Sequence, residues 1–200
     1  MLPQPKAPFV GRQRELVTLV TALDAAKRGR GSVHLLAGES GVGKTRLTEA
    51  IVERARERGF LPVVGHAYPV ESGIPYALFG DGFGPLLRGM EPASLQSLSR
   101  GALAELAVII PTLRADGAQA RSADGADLRL RVFDAFTQLL YRLAAKQPIL
   151  VVLENLHWAD PTSLDLFHFI SRTAGAHPVM LLATYNDAQF KENRSLRLAL

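Results

Sequence analysis

The sequence predicts an α/β protein with three layers, in which a mainly parallel β-sheet is covered by helices on both faces. Two observations carry this prediction. Short, continuous apolar runs alternate with longer segments whose apolar residues recur at helical spacing, an order typical of strands joined by crossover helices. A glycine-rich turn at residues 38–43 also joins the first apolar run directly to a helical segment. We therefore expect functional residues at the carboxyl ends of the strands.

The first third of the chain predicts two helices and two strands. Apolar residues at positions i, i+3, i+4 and i+7 indicate a helix between residues 11 and 29. Residues 32–37 form an apolar run that suits a buried parallel strand. Residues 44–58 are amphipathic and predict a helix, and residues 61–68 predict a second strand.

The middle of the chain is richer in glycine and proline. Residues 70–89 predict a loop with one short helix, and residues 94–110 predict a single helix that contains Gly101. Residues 111–126 include two Asp-Gly pairs and predict a mobile surface loop.

The last third returns to alternating helices and strands. Residues 127–146 have helical apolar spacing, and residues 149–153 form the continuous apolar run expected of a buried strand, which ends in Glu154. Asp160 can cap a helix whose first position is Pro161. Residues 179–185 predict a fourth strand, followed by a further helix that continues to the end of the chain.

Composition limits the class of protein. The 200 residues suffice for one α/β domain. Hydrophobic residues make up 48% and charged residues 21%, and no apolar run approaches the roughly 20 residues that a membrane span needs. The proline-rich first eight residues do not resemble a secretory signal. Because cysteine is absent, disulfides and thiolate metal sites are excluded, and we predict a cytoplasmic protein without a membrane segment.

The formal charge of +4 raises the question of nucleic acid. The arginines are spread along predicted helices without interleaved aromatic residues, which favours a solvated basic surface. No spacing typical of a helix-turn-helix, zinc finger or single-strand-binding barrel is found. We therefore expect DNA contact only through regions absent from this chain.

Residues 38–45 have the form G-x-x-x-x-G-K-[ST], which is a phosphate-binding loop. Glycines let backbone N–H groups turn toward phosphate oxygens, the lysine supplies a positive charge for the β- and γ-phosphates, and the hydroxyl completes a Mg²⁺ shell. The following helix adds its positive amino end. The loop predicts a nucleotide and Mg²⁺ as ligands, and the predicted binding residues here are Gly38, Glu39, Ser40, Gly41, Val42, Gly43, Lys44, Thr45 and Arg46.

A loop of this kind needs an acidic group near Mg²⁺ from a neighbouring strand. Glu154 ends the third predicted strand and is the strongest candidate. We therefore predict Thr45 and Glu154 as the metal-binding residues.

Four segments of the chain resemble the AAA-type ATPase domain of signal-transduction ATPases, also described as origin-recognition-complex-like AAA domains and found in large LuxR-type regulators. Residues 9–15 (FVGRQRE) resemble the family's segment against the nucleotide base, and residues 38–45 its Walker A loop. Residues 153–161 (LENLHWADP) are similar to its Walker B segment, and residues 183–187 (ATYND) to its first sensor.

The resemblance implies a three-layer P-loop NTPase fold and places Val10, Gly11 and Arg12 near the nucleotide base. It implies residues 1–8 as an N-terminal extension and 9–200 as the nucleotide-binding domain, with a fifth strand and a lid beyond Leu200, so that the chain is a fragment or a shortened relative of a larger protein. The implied partners are ATP or ADP, other domains of a larger protein or regulatory proteins, and further copies in a nucleotide-dependent oligomer.

Three residues depart from the family pattern. Glu154 stands where an aspartate is usual, Asn155 where the acidic water-activating base is expected, and Asn186 where the sensor arginine is expected. An asparagine amide cannot accept a proton at neutral pH, and loss of general-base help costs about 10²- to 10⁴-fold. We predict ATP binding with weak hydrolysis by a switch domain in signalling or transcription regulation. Asp160 is an alternative base, although helix capping is the favoured role.

Other functions remain open at this point. The chain could be an active ATPase that tolerates Asn155, a small-molecule P-loop kinase, or an interaction scaffold that has lost nucleotide affinity. A kinase would need an acceptor pocket and an arginine-rich lid, neither of which is indicated. His157 and Trp158 either take part in function or pack beneath the sheet. The histidines lack metal-ligand spacing, and packing or surface roles are favoured for His34, His66, His157, His168 and His177.

Overall fold

The computed structural model describes residues 11–113 and 125–200. The predicted N-terminal extension, Phe9 and Val10 therefore lie outside the described residues, as does most of the loop predicted at 111–126.

Four parallel strands form one sheet in the described part of the chain. They are β1 (Ser32–Ala37), β2 (Leu61–His66), β3 (Ile149–Glu154) and β4 (Val179–Tyr185). Their spatial order is β1-β4-β3-β2, and every residue of β3 is buried. The predicted α/β class with a mainly parallel sheet is confirmed.

Helices connect and cover the strands. They are α1 (Gln13–Lys27), α2 (Lys44–Glu57), α3 (Ala77–Arg88), α4 (Pro92–Ser99), α5 (Leu103–Ile109), α6 (Gly125–Lys146), α7 (Pro161–Ser171), α8 (Asp187–Glu192) and α9 (Arg194–Ala199). Single 3₁₀ turns lie at Pro69–Glu71, Pro111–Leu113, Leu156–Trp158 and Ala174–Ala176.

The sheet has a hydrophobic core on each face because successive side chains of a strand point to opposite sides. Leu150 and Val152 of β3 pack with α1 and α2 on one face. Val151 and Leu153 pack on the other face, in the larger core that contains most of the remaining helices. The three predicted layers are thus present.

The helix predicted over 94–110 is wrong, because α4 and α5 are separate helices. Arg100 (φ 48°) and Gly101 (φ 89°) both adopt left-handed backbone conformations between them. Two consecutive left-handed residues end the α-helical hydrogen-bond ladder and turn the chain. The helix in the 70–89 segment is confirmed and spans three turns as α3.

The last predicted helix is divided in two. Asn193 ends α8 and caps α9 by accepting a hydrogen bond from the Leu196 N–H. Asparagine favours such a cap over a helix interior because its side chain competes for backbone N–H groups.

Helix α3 lies directly against β2, and two glycines make this approach possible. A Cβ atom on Gly65 would lie 2.5 Å from the Leu78 carbonyl oxygen, and one on Gly82 would lie 3.2 Å from backbone atoms of Gly65. The strand and the helix therefore meet through their backbones, which fixes the position of α3 at the carboxyl end of β2.

Strand β1 lies at one edge of the described sheet, and Leu35 on it is 41% exposed. The fifth strand expected beyond Leu200 stays a prediction. Among the described residues, none of the helices combines the length and the apolar character that crossing a bilayer requires.

Candidate functional site

The carboxyl ends of the strands bring the predicted site residues to one edge of the sheet. Strand β1 leads into the glycine loop, β3 ends at Glu154, and β4 leads to Asn186. Because all the strands are parallel, these ends meet at the same edge, where open α/β sheets bind their ligands.

The glycine loop curls around the side chain of Lys44. Gly38, Gly41 and Gly43 have positive φ angles of 150°, 82° and 90°, conformations that glycine adopts without steric cost. The Lys44 ammonium donates hydrogen bonds to the carbonyl oxygens of Gly38 at 2.7 Å and Glu39 at 2.9 Å. Burial lowers the pKa of Lys44, and Asp187 opposes that shift. A cation is thus held inside the loop at the amino end of α2.

Arg12 joins the glycine loop from the start of α1. Its Nε donates a hydrogen bond to the Val42 carbonyl oxygen at 3.1 Å, and its backbone is left-handed at the N-cap of the helix. Gly11 precedes it with a φ of 85°. Of the three residues predicted near the base, the structure therefore brings Arg12 against the glycine loop.

Glu154 is a buried carboxylate, 6% exposed, and both of its oxygens have neighbours. The Thr48 hydroxyl of α2 donates a hydrogen bond to Oε1, and the His66 Nε2 lies 3.7 Å from Oε2. Thr45 and Glu154 line the same cleft of about 270 Å³ between α2 and the ends of β2 and β3. The two predicted metal-binding residues are thus brought together.

A hydroxyl and a carboxylate are oxygen donors of the kind that Mg²⁺ prefers, and Mg²⁺ usually takes only one or two protein ligands beside water and phosphate. The described residues contain no group of three or more His, Asp or Glu side chains arranged for a metal ion. The donor set therefore fits a Mg²⁺ ion that arrives with a phosphate ligand better than a metal held by protein alone.

Asn155 and Asn186 make hydrogen bonds that tie the strand ends together. The Asn155 N–H donates to the Thr184 hydroxyl at 3.1 Å, and its backbone is left-handed with a φ of 64°. The Asn186 side-chain amide donates to the Ser40 hydroxyl at 3.2 Å, while its Oδ1 accepts from the Ala188 N–H and caps α8. Asn186 thus connects β4 to the phosphate loop.

His157 supports this arrangement from the turn after β3. Its Nδ1 accepts a hydrogen bond from the Asn186 N–H at 3.2 Å, and its carbonyl oxygen accepts from the Asn193 side chain at 3.1 Å. Burial lowers the pKa of His157, and the nearby Lys44 charge lowers it further. His157 therefore lies at the candidate site, while Trp158 packs against the core.

Asp160 is the N-cap of α7, as predicted. Its Oδ1 accepts hydrogen bonds from the Ser163 N–H at 2.9 Å and the Tyr76 N–H at 3.0 Å, and its Oδ2 accepts from the Ser163 hydroxyl at 2.5 Å. The side chain is 3% exposed. The hydrogen bonds and the burial of the Asp160 carboxylate are those of a helix cap, and they leave almost none of it exposed for proton transfer.

Sequence reasoning missed Thr48 and Asp81 and gave His66 no role at the site. Thr48 binds Glu154, while Asp81 accepts from the His66 N–H at 2.8 Å. Thr48 lies one helical turn after the lysine and threonine of the loop, which is a usable sequence signal. The contacts of His66 depend on strand pairing, which has no local signal.

Arg46, which was predicted as a binding residue, is exposed in the first turn of α2.

The chain is similar to known proteins in family and in fold. Residues 8–182 match the family model described as AAA ATPase domain. An uncharacterized protein of Rhizobium meliloti (strain 1021) is 29% identical over 202 residues, and the match covers 92% of this chain and 19% of that protein. The chain thus spans about a fifth of the length of this relative.

Two solved structures are similar. The crystal structure of Cdc6p from Pyrobaculum aerophilum matches with a TM-score of 0.57 and 16% identity, covering 98% of this chain and 44% of that one; this similarity supports the fold. The structure of the Aeropyrum pernix Orc1 protein in complex with DNA matches with a TM-score of 0.45 and 19% identity, covering 96% and 43%. The family match extends over most of the chain and includes the glycine loop and Glu154, and the chain therefore belongs to the AAA ATPase domain family.

Proposed function

We propose that the chain is an ATP-binding switch domain that holds Mg²⁺-ATP at the glycine loop and hydrolyses it weakly. One observation carries this proposal: the loop curls around Lys44 at the start of α2, with Arg12 and Glu154 beside it. Nucleotide binding is also what membership of the AAA ATPase family suggests.

Lys44 supplies the charge that binds phosphate. Its ammonium donates to two loop carbonyls, and these neutral acceptors exchange for phosphate oxygens when the nucleotide binds. Hydrogen bonds in which both partners are charged are stronger than those to neutral carbonyls, so the exchange is favourable. The loop N–H groups and the amino end of α2 add further donors for the phosphates.

Thr45 and Glu154, which line the same cleft, would hold Mg²⁺. The ion, when bound, neutralises charge on the β- and γ-phosphates. Thr48 donates to one oxygen of Glu154, so the carboxylate is oriented before the ion binds. The extra methylene of glutamate gives this carboxylate a longer reach than the aspartate usual in the family.

Weak hydrolysis follows from two amides. Asn155 stands at the position expected for the base, and its amide cannot take a proton from water at neutral pH. Asn186 is neutral and binds Ser40, so it brings no positive charge to a transferring phosphoryl group. Asp160 uses both carboxylate oxygens in capping α7 and does not replace the base.

The wider roles belong to the same proposal. The domain works in the cytoplasm, the compartment that supplies ATP, as part of a signalling or transcription-regulatory protein. ATP and ADP bias a conformational equilibrium, which is read by other domains, by regulatory proteins or by further copies in an oligomer. Contact with DNA belongs to regions outside this chain.

Thermal unfolding with and without Mg²⁺-ATP tests nucleotide binding. Ligand at about 100 times its dissociation constant adds about 2.7 kcal/mol to the free energy of unfolding, which raises the melting temperature of a domain of this size by roughly 5–10 °C. We expect this shift in the wild type and in the exposed control Lys146→Ala, and its loss in Lys44→Ala. A cooperatively melting wild type without a shift would favour the scaffold alternative.

Phosphate release tests the weak hydrolysis. We expect a low steady-state rate in the wild type and a large gain in Asn155→Asp, because the carboxylate restores a proton acceptor. A high wild-type rate that Asn155→Asp does not increase would favour the active ATPase instead, and a low rate in both proteins would contradict the assignment of Asn155 as the cause of weak hydrolysis.

A further inference from the structure

His66 lies beside Glu154 because of the register between their strands. The two residues are direct Cα partners at the ends of the parallel strands β2 and β3. The His66 Nε2 lies 3.7 Å from Oε2 of Glu154, which is beyond hydrogen-bond length but places the ring next to this oxygen. Both side chains line the cleft that also contains Thr45.

Asp81 holds His66 in place from α3. Its Oδ2 accepts the His66 backbone N–H at 2.8 Å and lies 3.3 Å from the ring Nδ1. The close approach of Gly82 to Gly65 fixes this part of the helix against the strand. The ring is therefore anchored on the side away from Glu154, and its Nε2 is directed at the carboxylate.

Glu154 is thus bounded on two sides. Thr48 of α2 donates to Oε1, and His66 faces Oε2. A glutamate has one more rotatable bond than the aspartate usual at this position and loses more side-chain freedom when it is fixed. Two neighbours, one for each oxygen, restrict that freedom and set the direction of the carboxylate in the cleft.

We propose that His66, anchored by Asp81, is a positioning residue that directs the Glu154 carboxylate toward the Mg²⁺ of bound ATP. This inference rests on the proposed function. His66 acts through Glu154 and is not itself a metal ligand. Groups that orient a metal-binding side chain affect metal affinity by about 10- to 100-fold, although they do not touch the metal.

If His66 only stabilised the fold, its removal would lower the melting temperature of the protein without nucleotide. His66 is 39% exposed, so its truncation leaves no buried cavity, and the melting temperature of the protein without nucleotide should change little. The effect of positioning appears instead in the part of nucleotide affinity that depends on Mg²⁺.

The experiment measures ATP affinity by titration calorimetry, once with Mg²⁺ and once with the metal chelated. In His66→Ala we expect the Mg²⁺-dependent gain in affinity to fall by about 10-fold, while affinity without metal stays within about twofold. His66→Gln places an amide nitrogen near the position of Nε2 and should recover most of the gain. His177→Ala, at the opposite end of the sheet before β4, is the matched control and should resemble the wild type.

The same measurement in a Glu154→Asp variant tests whether His66 acts on Mg²⁺-dependent affinity through Glu154. Glu154→Asp shortens the carboxylate and withdraws it from His66, so His66→Ala should cause no further loss there. An unchanged Mg²⁺ dependence in His66→Ala overturns the inference alone, as does an equal loss in both backgrounds. A wild type that fails to bind Mg²⁺-ATP overturns the proposed function, and the inference with it.

Discussion

Replacement of Thr48 by valine is the sharpest test of the buried contact beneath the candidate site. Thr48 is 2% exposed and Glu154 is 6% exposed, and the threonine hydroxyl donates to Oε1 of the carboxylate. Valine has almost the same shape as threonine but no hydroxyl. The substitution therefore leaves a buried, charged oxygen without this donor while packing is nearly conserved.

The expected cost follows from the chemistry of the pair. Hydrogen bonds to charged groups contribute about 1.5–3 kcal/mol, and the low exposure of both residues limits compensation by water. The same hydroxyl also lies 2.8 Å from the Thr45 carbonyl oxygen, and one proton serves both acceptors. We therefore expect a loss of about 2 kcal/mol in the free energy of unfolding, or roughly 4–8 °C in melting temperature.

Urea unfolding of a double-mutant cycle measures the contact itself. Thr48→Ser keeps the hydroxyl and should lie close to the wild type. In a Glu154→Met background the carboxylate is gone, so Thr48→Val should cost less than about 0.5 kcal/mol, since removing both polar partners is nearly neutral. Equal costs of Thr48→Val in both backgrounds, within about 0.5 kcal/mol, would refute the reasoning.

Three further predictions concern stability. Gly65→Ala should destabilise the protein by about 1–3 kcal/mol in urea unfolding, because its Cβ would lie 2.5 Å from the Leu78 carbonyl oxygen; a neutral result would show that α3 can move away from β2. Asp160→Ala should cost about 1–2 kcal/mol through the lost cap of α7, and Asp160→Asn, which can still accept, should cost less. Burial and, to a smaller extent, Lys44 lower the pKa of His157 in the folded protein. The free energy of unfolding that neutral His157 contributes is therefore fully present above its unfolded pKa of about 6.5. It is lost as the pH falls from there through the lower folded pKa. In His157→Asn, the melting temperature should depend less steeply on pH in this window. Some dependence should remain, since burial also lowers the pKa of His34. An unchanged slope would contradict the contribution assigned to His157.

The sequence predicted the parts of the fold that depend on local chemistry. All four strands were predicted, although β2 ends at His66 and not at residue 68. The glycine loop indicated the start of α2 at Lys44. The break between α4 and α5 was missed because Arg100 adopts a left-handed conformation, which is uncommon for a residue with a side chain. Gly101 alone reduces helix propensity but does not require a break.

The placement of a candidate site residue was predictable where the residue belongs to a local motif. The positions of Lys44 in the glycine loop and of Glu154 at the end of β3 followed from the loop pattern and from the end of an apolar strand, while their roles stay predictions. His66 and Asp81 could not be found in this way, because their contacts depend on the strand order β1-β4-β3-β2 and on the docking of α3. These are long-range features, and a single sequence carries no local signal for them.

The hydrogen bonds after β4 give the proposed switch a route from the phosphate loop to the last two helices. Asn186 binds Ser40 and caps α8. His157 connects Asn186 to Asn193, the cap of α9. A helix cap contributes about 1 kcal/mol, and coupling between two sites typically amounts to about 1–3 kcal/mol, or 5- to 150-fold in affinity. A nucleotide that strengthens or breaks the contact with Ser40 thus acts on bonds of the right magnitude. In the proposed switch, occupancy of the loop would be transmitted by repositioning α8 and α9, which does not require rapid turnover.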